Sequence, residues 1–237
     1  MGNDQYSMDN GQWNVAHSLI EWWDEGHASL PWRSSRDPYI IWISEIMAQQ
    51  TQLATVVPYF ERWIARFPTV QDLAQAPLDD VLKLWEGLGY YSRARNLHAA
   101  AQTVVSEMDG IMPDSAAGLE KLKGIGRYTA AAIASICYEE PVAVLDGNVI
   151  RVLSRLHDLP DDVTQTATKK MLWTLADRHV SRDRPGDYNQ SLMELGQTYC
   201  TPKSPQCVLC PLREPCLARQ RGTQACLLYT SPSPRDS

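Results

Sequence analysis

Four of the six cysteines in this 237-residue chain fall in one stretch, CTPKSPQCVLCPLREPC, at Cys200, Cys207, Cys210 and Cys216. Four thiolates within reach of one another can hold a tetrahedral zinc ion or an iron–sulfur cluster. Zinc ribbons are built from paired short Cys-x-x-Cys knuckles, and only Cys207 and Cys210 form one here. The wide, uneven spacing suits a cubane cluster, whose irons each take one ligand from a compact loop; a structural zinc knuckle is the alternative. Pro202, Pro205, Pro211 and Pro215 keep the segment out of helix, so that the thiols can converge. Such a centre supplies no acid or base, and hydrolytic chemistry has to come from elsewhere in the chain. Cys137, on an apolar helical face, reads as a core residue.

The stretch LKGIGRYTAAAIASI begins at Leu122 and sets Gly124 and Gly126 on either side of Ile125, ahead of a helix of small residues. Two glycines permit a tight turn whose backbone N–H groups face outward at a helix N-terminus. That arrangement binds phosphate without reading a base, and Arg127 follows directly. Leu119 and Leu122 would pack the preceding helix on the following one, with Ile125 as the plug. The pattern has the look of a helix–hairpin–helix DNA-binding element; for a lone Gly-x-Gly a plain structural turn is the alternative. Further on, VLDGNVIRVLSR places Asp146, Gly147 and Asn148 just before an apolar-periodic helix. An aspartate there reads, by itself, as an N-cap.

Helices have to carry these groups. Apolar residues recur at helical spacing almost throughout. One stripe holds Val15, Leu19 and Trp22 or Trp23, and another holds Leu53, Val57, Phe60, Ile64 and Phe67. Val81, Leu84 and Trp85 follow Pro77, which suits a first helical turn. Leu97, Ala101 and Val104, then Val149, Val152, Leu153 and Leu156, then Leu172, Leu175 and His179, then Tyr188, Leu192 and Leu195 continue the pattern. Asp114 is the expected N-cap before Leu119 and Leu122. No alternating run bounded by turns stands out, so the predicted class is all-α, with helices of roughly ten to fifteen residues.

Composition is that of an ordinary globular protein, 44% hydrophobic and 21% charged. No apolar stretch reaches the length of a membrane span. The opening MGNDQYSMDN has neither the basic nor the apolar region of a secretory signal, so a reducing compartment is expected and disulfides are not. The net charge of −6 disfavours a nucleic-acid partner only if charge is evenly spread. It is not: basic residues recur at Arg93 and Arg95, Lys121 to Arg127, Arg151 and Arg155, and Arg213 to Arg221. Local patches of this kind decide phosphate contact. The closing LLYTSPSPRDS is rich in Ser and Pro without a helical stripe, and residues 223–237 read as a disordered or non-native tail.

A glycine hairpin, an aspartate before a helix and Cys-x6-Cys-x2-Cys-x5-Cys together resemble the helix–hairpin–helix DNA glycosylase superfamily with an iron–sulfur loop. In its endonuclease III branch a lysine follows the hairpin and attacks the sugar. Tyr128 stands there in this chain, and a tyrosine or serine at that place is similar to the MutY adenine DNA glycosylase branch. LPWR (30–33), SEIMAQQT (44–51), GLGYYSRARNLH (87–98), DGNVIRVLSR (146–155) and YNQSLMELG (188–196) agree with it. The likeness implies a six-helix barrel over 32–139 that carries the hairpin. It also implies an iron–sulfur module built from 1–31 and 140–222, with a [4Fe-4S] cluster on the four cysteines. Double-stranded DNA containing an adenine mispair, opposite 8-oxoguanine or guanine, would bind a monomer across the cleft between the modules. The site of action would be cytoplasm or nucleoid in a bacterium, nucleus or mitochondrion in a eukaryote. Two departures stand out: Ala48 replaces the family's usual Leu near the adenine pocket, and the Nudix-like domain that usually follows is not in this sequence.

Releasing adenine by hydrolysis leaves a sugar cation and a poor leaving group. A carboxylic acid must protonate N7, and a carboxylate must stabilise or transiently bond the cation, which is the two-carboxylate logic of glycoside hydrolysis. Glu45 fits the acid, lying beside Ile46 and Met47 on an apolar helix where desolvation would raise its pKa. Asp146 fits the cation's partner, at a helix start whose dipole would keep it ionised. By the resemblance Tyr128 orients Asp146 and the sugar, and Asn148 holds the Asp146 loop. Gly124, Gly126 and Arg127 contact phosphate. Arg33 and Gln190 line the pocket for a flipped base with Trp32 as its apolar wall. Gln50, Thr51, Leu88 and Tyr90 fill the gap in the duplex and meet the opposing base. Two alternatives stay open: a mismatch pyrimidine glycosylase of the same branch, and a non-catalytic iron–sulfur DNA-binding protein.

Overall fold

The computed structural model describes residues 8–9 and 12–225. The chain forms two compact units, Ser29–Glu140 and the combination of Met1–Ala28 with Pro141–Ser237. In chain order, β1 (Met8–Asp9), β2 (Gln12–Trp13) and α1 (Val15–Glu25) come first. The unit Ser29–Glu140 then supplies α2 (Pro38–Ala48), α3 (Leu53–Arg66), α4 (Val70–Gln75), α5 (Leu78–Leu84), α6 (Ser92–Glu107), α7 (Ala116–Leu119) and α8 (Arg127–Tyr138). The other unit resumes with α9 (Gly147–Leu156), α10 (Thr166–His179), α11 (Pro185–Thr198) and α12 (Leu217–Arg221).

The all-α expectation holds among the described residues apart from β1 and β2. These form one short antiparallel pairing, Met8 with Trp13 and Asp9 with Gln12. Helix lengths are less uniform than the periodicity implied, since α4, α5, α7 and α12 have 6, 7, 4 and 5 residues. The expected N-cap at Asp114 falls one residue later, at Ser115. Residues 226–237 of the expected tail lie outside the described residues. Thr223 and Gln224 are tied down: Thr223 Oγ1 donates to Asp158, and Arg155 Nε donates to the Gln224 carbonyl at 2.9 Å.

In Ser29–Glu140 the core is aromatic. The Trp63 ring meets Trp85 edge-on at 5.5 Å and Phe67 at 5.3 Å. Its indole N–H donates to the Tyr39 hydroxyl, which donates to the Phe67 carbonyl at 2.8 Å. This cluster decides which face of α3 turns inward. The sequence offered Leu53, Val57, Phe60, Ile64 and Phe67, but the buried set is Val56, Phe60, Trp63 and Phe67. Burying a whole indole outweighs burying Val57 and Ile64. On α8 the small residues Ala130, Ala131, Ala132, Ala134 and Ser135 are buried, and α2 packs against this helix. Small side chains let two helix backbones approach closely, which brings the side chains near their ends within reach of each other.

In the other unit α9 is central: α10, α11 and α12 all pack on it, and α11 also packs on α1. Its buried face is Val149, Val152, Leu153 and Leu156, the stripe read from the sequence. Arg184 fastens α11 to α1 with a two-pronged contact to Asp24, both distances 2.7 Å. At the far ends of α9 and α10, His157 Nε2 and His179 Nε2 lie 2.9 Å apart.

Candidate active site

Glu45 sits one turn from the end of α2 and is half-buried, while the residues around it, Ser44, Ile46 and Met47, are buried. Tyr128 is the second residue of α8 and also half-buried. Its hydroxyl donates to Glu45 Oε2 at 2.8 Å. The close α2–α8 packing makes this contact, and a second bond from Gln49 Nε2 to Thr129 Oγ1 at 3.1 Å reinforces it. Tyr128 was read as a partner of Asp146; the hydrogen bond it makes to Glu45 was not foreseen.

The hairpin before α8 has its expected plug, with Leu119, Leu122 and Ile125 all buried. Gly124 has φ 82°, and a Cβ there would come within 2.6 Å of Asn96 Cβ, so glycine is required twice over. Gly126 differs: its φ is −96° and a Cβ would meet nothing within 4 Å. Packing does not demand glycine at 126. Its effect is to leave the start of α8 uncovered, and no side chain caps that helix. Gly124, Gly126 and Arg127 are all exposed.

Asp146 is the N-cap of α9. Oδ1 accepts from the Val149 N–H at 2.8 Å and Oδ2 from Asn148 Nδ2 at 2.9 Å. The helix start was expected to keep the carboxyl ionised. Burial instead pushes its pKa up, against the Val149 N–H, the Asn148 amide and the charge of Arg151, which pull it down. The helix terminus is where the sequence put it, but desolvation outweighs it.

Behind Asp146 the bonds continue. Asn148 Oδ1 accepts from Arg151 Nη2 at 2.7 Å, and the same nitrogen reaches the Gly196 carbonyl at 2.7 Å. Arg151 Nε donates to the Cys200 carbonyl at 2.7 Å. One arginine thus joins the Asp146 turn to the first of the four cysteines. At Gly196 a Cβ would lie 2.6 Å from Asn148 Cβ and 3.1 Å from its Cα, so α11 can cross α9 there only without a side chain.

The four cysteines are half-buried and unpaired by disulfides. The thiol of Cys210 is pushed up to about 12, first by burial and then by the neighbouring Cys200, Cys216 and Cys207. Cys216 is raised by burial and by Cys200 and Cys207. Each of the two therefore feels the other three or two as charges, which marks the set as neighbours. Among the described residues no three His, Cys, Asp or Glu gather round a single metal-ion position. Arg155, only 2% exposed, fixes the loop by donating to the Thr201 carbonyl at 2.7 Å, the Pro202 carbonyl at 3.2 Å and the Cys200 sulfur at 3.4 Å. Arg151 and Arg155 read as basic patches in the sequence; both point inward, because a planar guanidinium fork matches carbonyls at the ends of turns.

The remaining candidates differ in exposure. Trp32 is buried against Phe60, ring centroids 5.0 Å apart, and Arg33 is half-buried. Gln190 on α11 is half-buried, its Nε2 turned to the Gly186 carbonyl at 3.3 Å. Gln50 is exposed and Thr51 half-buried just past α2. Leu88 is 6% exposed and Tyr90 60% exposed, so of that pair only Tyr90 presents its side chain to solvent.

The family description HhH-GPD superfamily base excision DNA repair protein matches residues 43–178. The chain is 48% identical over 213 residues to the adenine DNA glycosylase of Mus musculus, covering 86% of this chain and 41% of that one. It is 41% identical over 201 residues to the adenine DNA glycosylase of Buchnera aphidicola subsp. Schizaphis graminum, covering 84% and 58%. The chain therefore spans about two fifths of the mammalian relative and under three fifths of the bacterial one. Among solved structures, a thermostable thymine-DNA glycosylase matches with TM-score 0.78 at 26% identity, over 87% of this chain and 95% of that one. Endonuclease III in a trapped covalent DNA intermediate matches with TM-score 0.72 at 23% identity, over 87% and 94%, a likeness of fold. With over half its length matched by the family description and its fold shared with these enzymes, the chain belongs to the HhH-GPD superfamily of base excision DNA repair proteins.

Proposed function

We propose that this chain is the catalytic part of a monofunctional DNA glycosylase that releases adenine mispaired with 8-oxoguanine or guanine. The observation that carries the reading is the bond from Tyr128 to Glu45. Where the strand-cleaving branch has a lysine nucleophile, this chain has a hydroxyl engaged with a half-buried carboxylate. The relatives named adenine DNA glycosylase support the same choice of base.

On this reading Glu45 gives a proton to N7 as the glycosidic bond breaks, and the bond's electron pair leaves with adenine. The sugar is left cationic at C1′, and Asp146 balances that charge. Burial makes a lone anion at Asp146 unfavourable in the resting protein; a cation beside it offsets that cost, so the interaction strengthens as the transition state forms. Water then adds its hydroxide to C1′ and returns its proton to Glu45. Asn148 and Arg151 hold Asp146, and the start of α8 with Arg127 takes a phosphate.

Cys200, Cys207, Cys210 and Cys216 would hold a [4Fe-4S] cluster. Four unpaired thiols in one loop, with a buried guanidinium touching one sulfur, support that assignment. The cluster's contribution would be to cross-link the loop, since no step of the hydrolysis moves an electron. Action in the cytoplasm or nucleoid, or in nucleus or mitochondrion, as a monomer on double-stranded DNA completes the proposal.

The test is single-turnover base release from a duplex with adenine opposite 8-oxoguanine, with strand scission scored separately. Adenine release without scission is expected; no release, or scission trapped by borohydride, overturns the reading. A second reading rests on the likeness to a thymine-DNA glycosylase. It predicts faster release of thymine opposite guanine than of adenine in the same assay.

A further inference from the structure

Arg93 lies in the first turn of α6, and its guanidinium reaches main-chain carbonyls of two other segments. Nη1 donates to Ile46 at 2.8 Å and to Gln49, both at the C-terminal end of α2. Nη2 donates to Leu88 at 3.0 Å and to Gly89 at 3.4 Å. The group also lies over the Trp85 ring at 5.2 Å and the Tyr90 ring at 5.6 Å. Trp85 adds its own indole N–H to the Gly89 carbonyl at 2.9 Å.

Each segment leaves this clamp through an unusual backbone. Gln50 has φ 58° and Tyr90 has φ 46°, and neither is a glycine. A non-glycine residue in the left-handed region is strained and persists where its surroundings over-determine it. The surroundings here are the carbonyls of Gln49 and Gly89, the residues just before the two strained positions, and both accept from the same guanidinium.

We infer that Arg93 is a positioning residue that sets Gln50–Thr51 and Leu88–Tyr90 as a single wedge for entering the DNA duplex. The inference rests on the proposed function and on the family resemblance, which puts those segments in the gap left by a flipped base. One nitrogen serves each segment, and the fixed span of a planar guanidinium sets the distance between them. A lysine, with one nitrogen on a flexible stem, holds either segment but not both in register. Displacing a stacked base costs free energy, and a wedge held rigid loses less of its own order in meeting that cost than two independent loops.

The experiment replaces the target adenine with 2-aminopurine, whose fluorescence rises on unstacking, and compares the purified chain with Arg93→Lys. Helical circular dichroism and low-salt affinity, which come from the fold and phosphate contacts, should match within about threefold. The fluorescence rise, and the single-turnover release of adenine from the matching unsubstituted duplex, should both fall at least tenfold. A folded Arg93→Lys chain that keeps both within threefold overturns the inference, and so does a loss of affinity equal to the loss of unstacking. Should that variant not fold, amide hydrogen exchange on the unmodified chain decides. The amides of 49–52 and 87–91 should open as one unit with protection factors within tenfold of each other; separate opening overturns the clamp. An unmodified chain that releases no adenine sinks the proposed function instead, and the exchange result still stands for or against Arg93.

Discussion

Tyr128 and Glu45 are 83 positions apart in the chain and joined by a 2.8 Å hydrogen bond. One oxygen of the carboxylate accepts that bond. A hydrogen bond to a group of this kind is worth about 1.5–3 kcal/mol. Tyr128→Phe should therefore slow base release by roughly ten- to a hundredfold and lower the melting temperature by a few degrees. Tyr128→Lys should add strand scission through a Schiff base that borohydride traps, because a partly desolvated amine there is a competent nucleophile. An unchanged rate in the Phe variant would remove the tyrosine from the mechanism.

Glu45→Gln should reduce release by about 10²–10⁴-fold, the range for losing a general acid. Asp146→Asn should do comparable damage with a small cost in stability. Asparagine caps a helix about as well as aspartate. Its amide nitrogen would, however, face Asn148 Nδ2, whose own oxygen is already taken by Arg151. DNA affinity measured beside the rate separates chemistry from binding; a variant within tenfold of the parent rate loses its assigned role.

Arg151→Gln cuts the links to Asn148, Gly196 and Cys200 together. Base release should fall at least tenfold. If the cysteines hold a cluster, the purified protein should also carry fewer than about four irons per chain. The single change is thus expected to move two readouts that sit at different places in the sequence. Full iron content with full activity would show that the arginine merely fills space.

The expectations from sequence were best where the signal is local. Asp146 as an N-cap and the tight turn at Gly124 are each set by their nearest neighbours. They missed where tertiary contacts decide. Helix α3 carries apolar residues on more than one face, and the aromatic cluster around Trp63 selected among them. The burial that raises Asp146 comes from packing around it, which no local pattern records. Arg93, Arg151 and Arg155 looked like solvent-facing charge, because nothing in a sequence distinguishes a guanidinium bound to carbonyls from one waiting for phosphate.

His157 and His179 give a pH dependence of stability. With the two Nε2 atoms at 2.9 Å, one nitrogen donates and the other accepts, so the two cannot both carry a proton there. Burial lowers both, and His179 falls to about 4, helped by the charges of His157 and Arg178. The unfolded chain takes up protons near the ordinary value of about 6.5 and the folded chain does not. Stability is therefore complete above that value and is lost as pH falls toward 4. Melting scans should show the decline, roughly 4–8 °C for each kcal/mol in a small domain and less in a larger one. His179→Phe should flatten it between pH 6.5 and 4; an equal slope in that variant would place the effect elsewhere.

At Gly196 the constraint is one of inheritance as much as of packing. Every single-base missense change in a glycine codon introduces a Cβ. At this position the Cβ would meet Asn148, including its backbone, which cannot swing aside. Position 196 thus has no mild allele: even alanine displaces the residue that holds Asp146. A genetic survey of such a protein would count Gly196 variants among the loss-of-function class, although the residue carries no group able to take part in the reaction.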